Sequence, residues 1–390
     1  MREDLVSILR CPETGASLEL VDVGSWFALD AAGDVRFVVD GLLETVGERR
    51  LTYAILDEVP RLVPRPLWHE DERAYVLTER QRDASFAEDR RVEPEIFTQS
   101  DLEAEIRRRM ERRYDLAEGA STGDDDSVPQ ETLRRLEGEI RYMTAESRGT
   151  NKRKYLEVIR PRLDAAPTIL ETGGNFPGLT RLLQDEYTPE RAVVANIQVV
   201  FPRAFKTPDR SIDAVRADVQ ALPFTDGSFD LVASAFMLEH VPDWKVGLEN
   251  MMRVARHTFL AFGPNKWFPI EVGHIDAPLA GSLPAPIDGW IAWLWLKAIG
   301  KPRPMHRIHE ILGEVFHVGA KAFARHARHL GGQAENLFPE IVDVIVADQN
   351  APATGPRKLL KRHPKLATVA ARTLATVGME PQIYYWIESR

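Results

Sequence analysis

The chain has 390 residues, 44% of them hydrophobic and 28% charged, which places it among ordinary globular proteins with room for two or three domains. Its formal charge of -9 gives no general nucleic-acid footprint, and its single cysteine, Cys11, excludes an intrachain disulfide framework and any cysteine-rich zinc site. The opening MREDLVSILR has no long apolar core, and the most apolar run, Trp290 to Leu296, falls far short of the roughly 20 residues a membrane span needs. A cytoplasmic protein without signal peptide or transmembrane segment is expected.

Four short β-prone runs, Leu18 to Val23, Trp26 to Leu29, Val35 to Val39 and Leu51 to Leu56, predict a small β-rich module over residues 1–65. Residues 66–150 then read as a charged helical linker or cap, in which DLEAEIRRRMERRYDL and PQETLRRLEGEIRYM flank a polar loop at Gly119 to Ser127. Arg107, Arg108, Arg109, Arg112 and Arg113 alternate with glutamates, the pattern of a solvated helix face rather than an anion patch. Asn151 to Leu163 predicts a helix leading into a short strand, Thr168 to Leu170. Strand, glycine turn, helix, strand, helix and strand then follow with short connections, which demands a parallel sheet with helices on both faces.

Two stretches of this region carry site chemistry. In PTILETGGNFPGLTRLL, Pro167 to Leu183, the strand runs into a turn holding Gly173, Gly174 and Gly178 and then into an amphipathic helix. Such glycines let the backbone approach a ligand, and the helix start offers free N–H groups. Glu171 is placed to hold a cationic amine. The glycine spacing does not meet the GxGxxG dinucleotide fingerprint, which argues against a nicotinamide-dependent oxidoreductase. In RADVQALPFTDGSFDLVASAFMLEHV, Arg216 to Val241, Asp218 follows a β-prone segment, and a turn at Pro223 to Ser228 leads into the apolar run Phe229 to Ser234. That run predicts a strand buried on both faces of a parallel sheet. Asp218 and Ser234 would end neighbouring strands, at the edge where open α/β sheets bind ligands.

From Thr168 to about Gly263 these motifs resemble the core of a class I S-adenosylmethionine-dependent methyltransferase: ETGGNFPG matches the first motif loosely and ALPFTDGSFDLVASAFMLEHV the later ones closely. The resemblance implies an α/β fold, a Rossmann-like seven-stranded sheet with helices on both faces, spanning residues 151–390 with a substrate-side insertion at about 268–317. It implies S-adenosyl-L-methionine as cofactor, with Glu171, Gly173 and Gly174 lining the methionine moiety and Gly178 closing the same turn. Asp218 would accept from the adenine amino group, Val219 pack the ring or donate its N–H, and Ser234 and Phe236 flank the sulfonium. The strand Ala192 to Ile197 carries Asn196 where the family usually has an acid gripping the ribose; an amide can bond one hydroxyl but lacks the charge-assisted pair of acceptors. Gln382 to Ser389 reads as the last strand of the family's antiparallel hairpin. The ends of the N-terminal module, LVSILRCPETGASLEL and LTYAILDEVPRLVP, resemble the small zinc-knuckle domain that partners, or is fused to, RNA and protein methyltransferases. Its CPxC knuckle is Cys11-Pro12-Glu13-Thr14 here, so no metal is expected there, and none is expected elsewhere.

Methyl transfer is an in-line displacement, and a base is needed only where the acceptor must lose a proton. His240 reads either as that base or as a histidine fixing the loop of the LEH segment. Glu271 and His274, in GPNKWFPIEVGHIDAP after the strand His257 to Phe262, read either as a base with its orienting carboxylate or as a structural pair. Trp267, Trp290, Trp293 and Trp295 read as insertion core, as an apolar substrate wall or as a surface meeting a membrane interface, and the basic run Arg357 to Lys365 as a solvated helix end or an anion contact. The expectation is O- or N-methylation of a small-molecule, apolar, glycan-linked or lipid-linked acceptor, without nucleic acid and with membrane contact at most peripheral. Two other readings stand beside it: a non-catalytic scaffold, favoured by Asn196, and an RNA or protein methyltransferase with a built-in activator module.

Overall fold

The computed structural model describes residues 1–30, 33–47, 49–81, 90–91, 99–113, 130–147, 152–163, 167–173, 178–198, 205–207, 210–271, 274–275, 277–300, 303–347 and 362–389. In chain order its elements begin with β1 (Leu18–Asp30), β2 (Gly33–Thr45), β3 (Thr52–Leu56), β4 (Val59–Leu62), α1 (Glu70–Gln81), β5 (Arg90–Arg91), α2 (Gln99–Arg113) and α3 (Gln130–Ser147). There follow α4 (Arg153–Ile159), β6 (Thr168–Thr172), α5 (Gly178–Tyr187), β7 (Arg191–Asn196), β8 (Phe205–Thr207), β9 (Arg210–Ala217), β10 (Phe229–Ala235), α6 (Trp244–Val254) and β11 (Ala255–Phe262). The chain closes with α7 (Ala285–Ala298), α8 (Met305–Glu314), α9 (Ala320–His329), β12 (Gln333–Asn336), α10 (Phe338–Ala347), α11 (Pro364–Val377) and β13 (Ile383–Glu388). Its contacts group into two units, Met1–Arg153 with Asn175–Ala217, and Lys154–Gly174 with Asp218–Arg390.

In the first unit β1 to β4 form an antiparallel meander. The two β-prone runs before residue 30 are one strand, because register shifts around Val21, Gly24 and Ser25 let the chain bend without ending its pairing. β4 then pairs in parallel with β9, which pairs in parallel with β7. The N-terminal module therefore continues by its last strand into the strand that precedes Asp218. Asp213 of β9 also accepts the backbone N–H of Arg2 at 2.8 Å. The turn after Cys11 closes through backbone hydrogen bonds: Cys11 N–H donates to Ala16 O and Gly15 N–H to Cys11 O, each at 2.8 Å. Ala16 N–H donates to the hydroxyl of Thr14, and the buried Cys11 thiol lies 3.2 Å from the Tyr53 hydroxyl. The predicted loop Gly119 to Ser127 lies outside the described residues.

One buried ion pair ties α1 to β9. Arg216 donates from one guanidinium nitrogen to both oxygens of Glu72 at 2.8 Å, from another to Leu67 O at 2.8 Å, and from Nε to Ile197 O at 3.0 Å. Both side chains are at most 2% exposed, and the buried Arg61 approaches the same carboxylate at 4.0 Å. Burial pulls the Arg61 pKa down, with Glu72 opposing that shift.

The second unit is built on a three-strand parallel core, β6–β10–β11, extended by antiparallel β13 and β12. Parallel pairing requires a crossover, and α6 supplies it between β10 and β11, capped at its start by Asp243, which accepts the N–H groups of Lys245 and Val246. β10 reads as a continuous apolar run because it is buried, as are Leu248, Met251 and Val254 of α6 and Phe259 to Phe262 of β11. This is a Rossmann-like α/β fold. The register is pinned at one end by Thr168 and Asp230: the N–H and hydroxyl of Thr168 donate to Asp230 at 2.8 and 2.9 Å, and Asp230 N–H donates to the Thr168 hydroxyl at 2.9 Å. Tyr155 of α4 packs on Phe259 and Tyr384, with ring centres 5.4 and 5.9 Å away.

The segment around α7 and α8 has its own small core of Ile275, Ala277, Ala280, Ala292, Leu296 and Ile308, onto which Trp293 packs. Asp288 fastens the preceding loop to α7 by accepting the N–H groups of Gly281 and Leu283. The other face of α7 is apolar yet exposed, with Ile287, Trp290 and Leu294 each more than half accessible. No helix among the described residues is long and apolar enough to cross a membrane.

Arg216→Met leaves the buried Glu72 with the more distant Arg61 as its cation and the backbone N–H of His69 at 2.9 Å. The expected loss of stability in chemical denaturation is about 3–5 kcal/mol, part of which Glu72→Gln in the same chain restores. Wild-type stability of the single variant would remove the pair from the account of this unit.

Candidate active site

The site follows from strand register. Ser234 of β10 sits opposite both Thr172 of β6 and Leu260 of β11, so the carboxyl ends of three parallel strands align. Open α/β sheets bind ligands at this edge. β6 runs directly into Gly173, whose φ of +74° is costly for any residue with a side chain. A Cβ there would collide with the Met237 side chain, so the backbone approaches the segment after β10 as closely as a glycine allows. Glu171 points from β6 into buried surroundings, and Gly178 is the buried first residue of α5. Gly174 lies outside the described residues.

Asp218 caps the short turn Val219–Ala221, accepting the N–H of Gln220 at 2.9 Å and its side-chain amide at 3.3 Å. A carboxylate has about four lone-pair sites, so this half-buried residue can accept a further donor. Val219 is buried in van der Waals contact range of the Gly247 position on α6. Asn196 ends β7 in the first unit with its Oδ1 accepting the N–H of Gln198 at 3.0 Å, an Asx turn. The hydroxyl of Ser234 is buried without a hydrogen-bond partner. Phe236, two residues on, has a φ of +57°, a strained conformation for a bulky residue, held by its N–H donating to Ala261 O at 2.7 Å and by Tyr384 meeting its ring edge-on.

Beyond Phe236 the structure brings the three candidate proton-handling residues together. Glu271 is 2% exposed, and one of its oxygens accepts from both the backbone and Nδ1 of His274, at 3.1 and 2.9 Å. The other accepts the N–H of Ile275 at 2.7 Å. The carboxylate thus builds its own loop and orients the imidazole. The rings of His274 and His240 meet edge to face with centres 5.4 Å apart. His240 is held by its Nδ1, 3.1 Å from the carbonyl of Glu314, and the N–H of Phe316 donates to the carbonyl of Glu239 at 2.6 Å. The stretch 314–317 therefore straps the LEH turn.

Two groups escape a reading of the sequence. Glu239 is fully buried and neither carboxylate oxygen has a hydrogen-bond partner; burial pushes its pKa up to about 8, against the opposing pull of the nearby backbone amides. His317 ends the strap with a buried, unpartnered Nε2; burial pulls its pKa down, Glu271 draws it back up, and His274 lies close enough to be felt. His240 is also shifted down, by burial first and then by His274, against the Glu314 carbonyl. An acid inside LEH is a weak signal, since nothing local says that a distant strap will cover it.

Residues 181–258 match a family model described as a methyltransferase domain. Two curated relatives, the ubiquinone/menaquinone biosynthesis C-methyltransferases UbiE of Stenotrophomonas maltophilia strains K279a and R551-3, are each 31% identical over 112 residues, 27% of this chain and 44% of the relative. The chain thus spans less than half the length of the curated relatives it matches. Among solved structures, an S-adenosylmethionine dependent methyltransferase from Mesorhizobium loti is similar at 14% identity over 60% of this chain and 97% of that one, with a TM-score of 0.36. A Haemonchus contortus phosphoethanolamine N-methyltransferase 2 in complex with phosphomonomethylethanolamine and S-adenosylhomocysteine is similar at 11% identity over 60% and 51%, with a TM-score of 0.34.

Gly173→Ala combines a left-handed backbone with a collision at Met237. It should lower stability by about 2–4 kcal/mol in chemical denaturation, with Met237→Ala in the same chain recovering part. An unchanged midpoint would show that the turn after β6 has room for a side chain.

Proposed function

We propose that this chain is a cytoplasmic enzyme transferring a methyl group from S-adenosyl-L-methionine to an oxygen or nitrogen of an organic acceptor. The observation that carries the reading is the alignment of the Gly173 turn, Ser234 and the LEH turn at one edge of a parallel sheet, in a chain with a methyltransferase domain match. One feature fits the cofactor: the buried Ser234 hydroxyl at the strand edge lacks a partner. When bound, S-adenosylmethionine supplies a methyl group activated on a sulfonium.

Gly173 would give the methionine moiety its close backbone approach and Glu171 would hold its amine. Asp218 would accept from the adenine amino group and Val219 would pack the ring. Phe236, held in its strained backbone, fixes where the acceptor meets the methyl carbon. The acceptor proton would pass to the imidazole of His274, oriented by Glu271, with His240 alongside. The exposed stripe Ile287, Trp290 and Leu294, with the exposed Trp267, supports an apolar or lipid-linked acceptor, which such a face covers from water.

S-adenosylhomocysteine should bind in calorimetry, and no heat at millimolar ligand would remove the enzyme reading. Asp218→Ala should weaken that binding. His274→Ala should leave it nearly unchanged while cutting turnover by about 10²–10⁴-fold; equal turnover would assign His274 to structure. Mass-spectrometric screening of extract for compounds gaining a methyl group identifies the acceptor, and a carbon acceptor would correct the oxygen-or-nitrogen assignment.

A further inference from the structure

Glu239, His240 and His274 each bring one candidate ligand atom within 4.8 Å of the others. We infer that these three side chains form a binding site for one divalent transition-metal ion of the zinc type, with a coordination position left open. Three independent features of the cluster point the same way.

The first is tautomeric. A carbonyl oxygen only accepts, so Nδ1 of His240 carries the proton it donates to Glu314 O, and its Nε2 keeps a free lone pair. The second is the partner of His274. Its Nδ1 donates to Glu271, a carboxylate itself anchored by backbone N–H groups, which again frees Nε2. Metal-bound histidines almost always make such a bond from the nitrogen that faces away from the ion, and it fixes the ring and raises its basicity. The third is Glu239, whose fully buried carboxylate has no hydrogen-bond partner and no ion pair. A buried carboxyl either stays protonated or is compensated by a cation, and the two imidazole lone pairs beside it are what would hold one.

Two imidazoles and one carboxylate form a donor set that suits zinc and its neighbours and suits magnesium poorly, since magnesium selects oxygen. Three protein ligands with a fourth position free is the pattern of catalytic zinc rather than structural zinc. Metal–ligand bonds of about 2.0–2.1 Å place tetrahedral ligands roughly 3.3 Å apart, so the cluster must contract on binding. The exposed His240, held through one ring nitrogen, is the member free to close that gap. The use of the ion rests on the methyl-transfer reading: an acceptor hydroxyl taking the open position is acidified and releases its proton to solvent. His274 then serves as a ligand instead of taking that proton.

The test uses the full chain, stripped with a chelator and then titrated with Zn²⁺ in a calorimeter and with Co²⁺ while visible absorption is followed. One equivalent should bind, with cobalt bands of a low-symmetry nitrogen and oxygen site. His240→Ala and His274→Ala should each weaken Zn²⁺ binding by at least about 100-fold, and Glu271→Gln, a positioning residue, by about 10–100-fold. His329→Ala, on the exposed side of α9, should leave it unchanged. Thermal melts identify any variant that does not fold, and the exposed His240 keeps the test decisive should Glu239→Gln fail. Absence of one-to-one binding, or binding unaffected in both histidine variants, overturns the site, and undiminished turnover after chelation overturns its catalytic use. S-adenosylhomocysteine titrated on the same samples separates the two readings: its binding without Zn²⁺ binding removes only the metal site, and Zn²⁺ binding without it removes only the methyl transfer.

Discussion

Thr168 and Asp230 exchange hydrogen bonds where β6 and β10 begin, and everything at the other end of those strands depends on that register. A slip of one residue would turn every side chain of the strand to the opposite face and bring a different pair to the carboxyl edge. With Thr172 opposite Ser234, the glycine turn after β6 and the Phe236 bend after β10 emerge side by side, and the LEH turn follows at once. The candidate residues Gly173, Ser234 and Phe236 are thus placed by strand pairing. This arrangement positions a ligand more rigidly than a site carried on long loops alone.

The parallel core was legible because its strands are buried on both faces and so appear as unbroken apolar runs between turn residues. Gly173 was legible because a left-handed turn selects glycine. The meeting of Glu271, His274 and His240 was expected only as a set of residues after two adjacent strands; the contact itself depends on the loop that Glu271 builds around its own carboxylate. Glu239 was not legible, because its isolation from water is made by residues 314–317, dozens of positions downstream. The four tryptophans carried mixed information for a related reason. Trp293 faces the small core of the insertion while Trp290 on the same helix faces outward, and the hydrophobicity of the run does not separate the two.

In the N-terminal segment, backbone hydrogen bonds and the Thr14 hydroxyl keep the turn from Cys11 to Ala16, Cys11 is packed as a small apolar residue against Tyr53, and β4 joins β9. Glu72, between Arg216 and Arg61, then anchors the first linker helix to the same strand.

The strap from Glu314 to His317 gives the insertion a second duty. It closes the LEH turn through two backbone contacts and delivers a histidine of its own, while the helices on its N-terminal side display the apolar face. The outward face of α7 and the fastening of His240 therefore share one continuous stretch of chain, and exchanging that stretch for one from another protein would change the exposed apolar surface and unfasten His240 in the same cut.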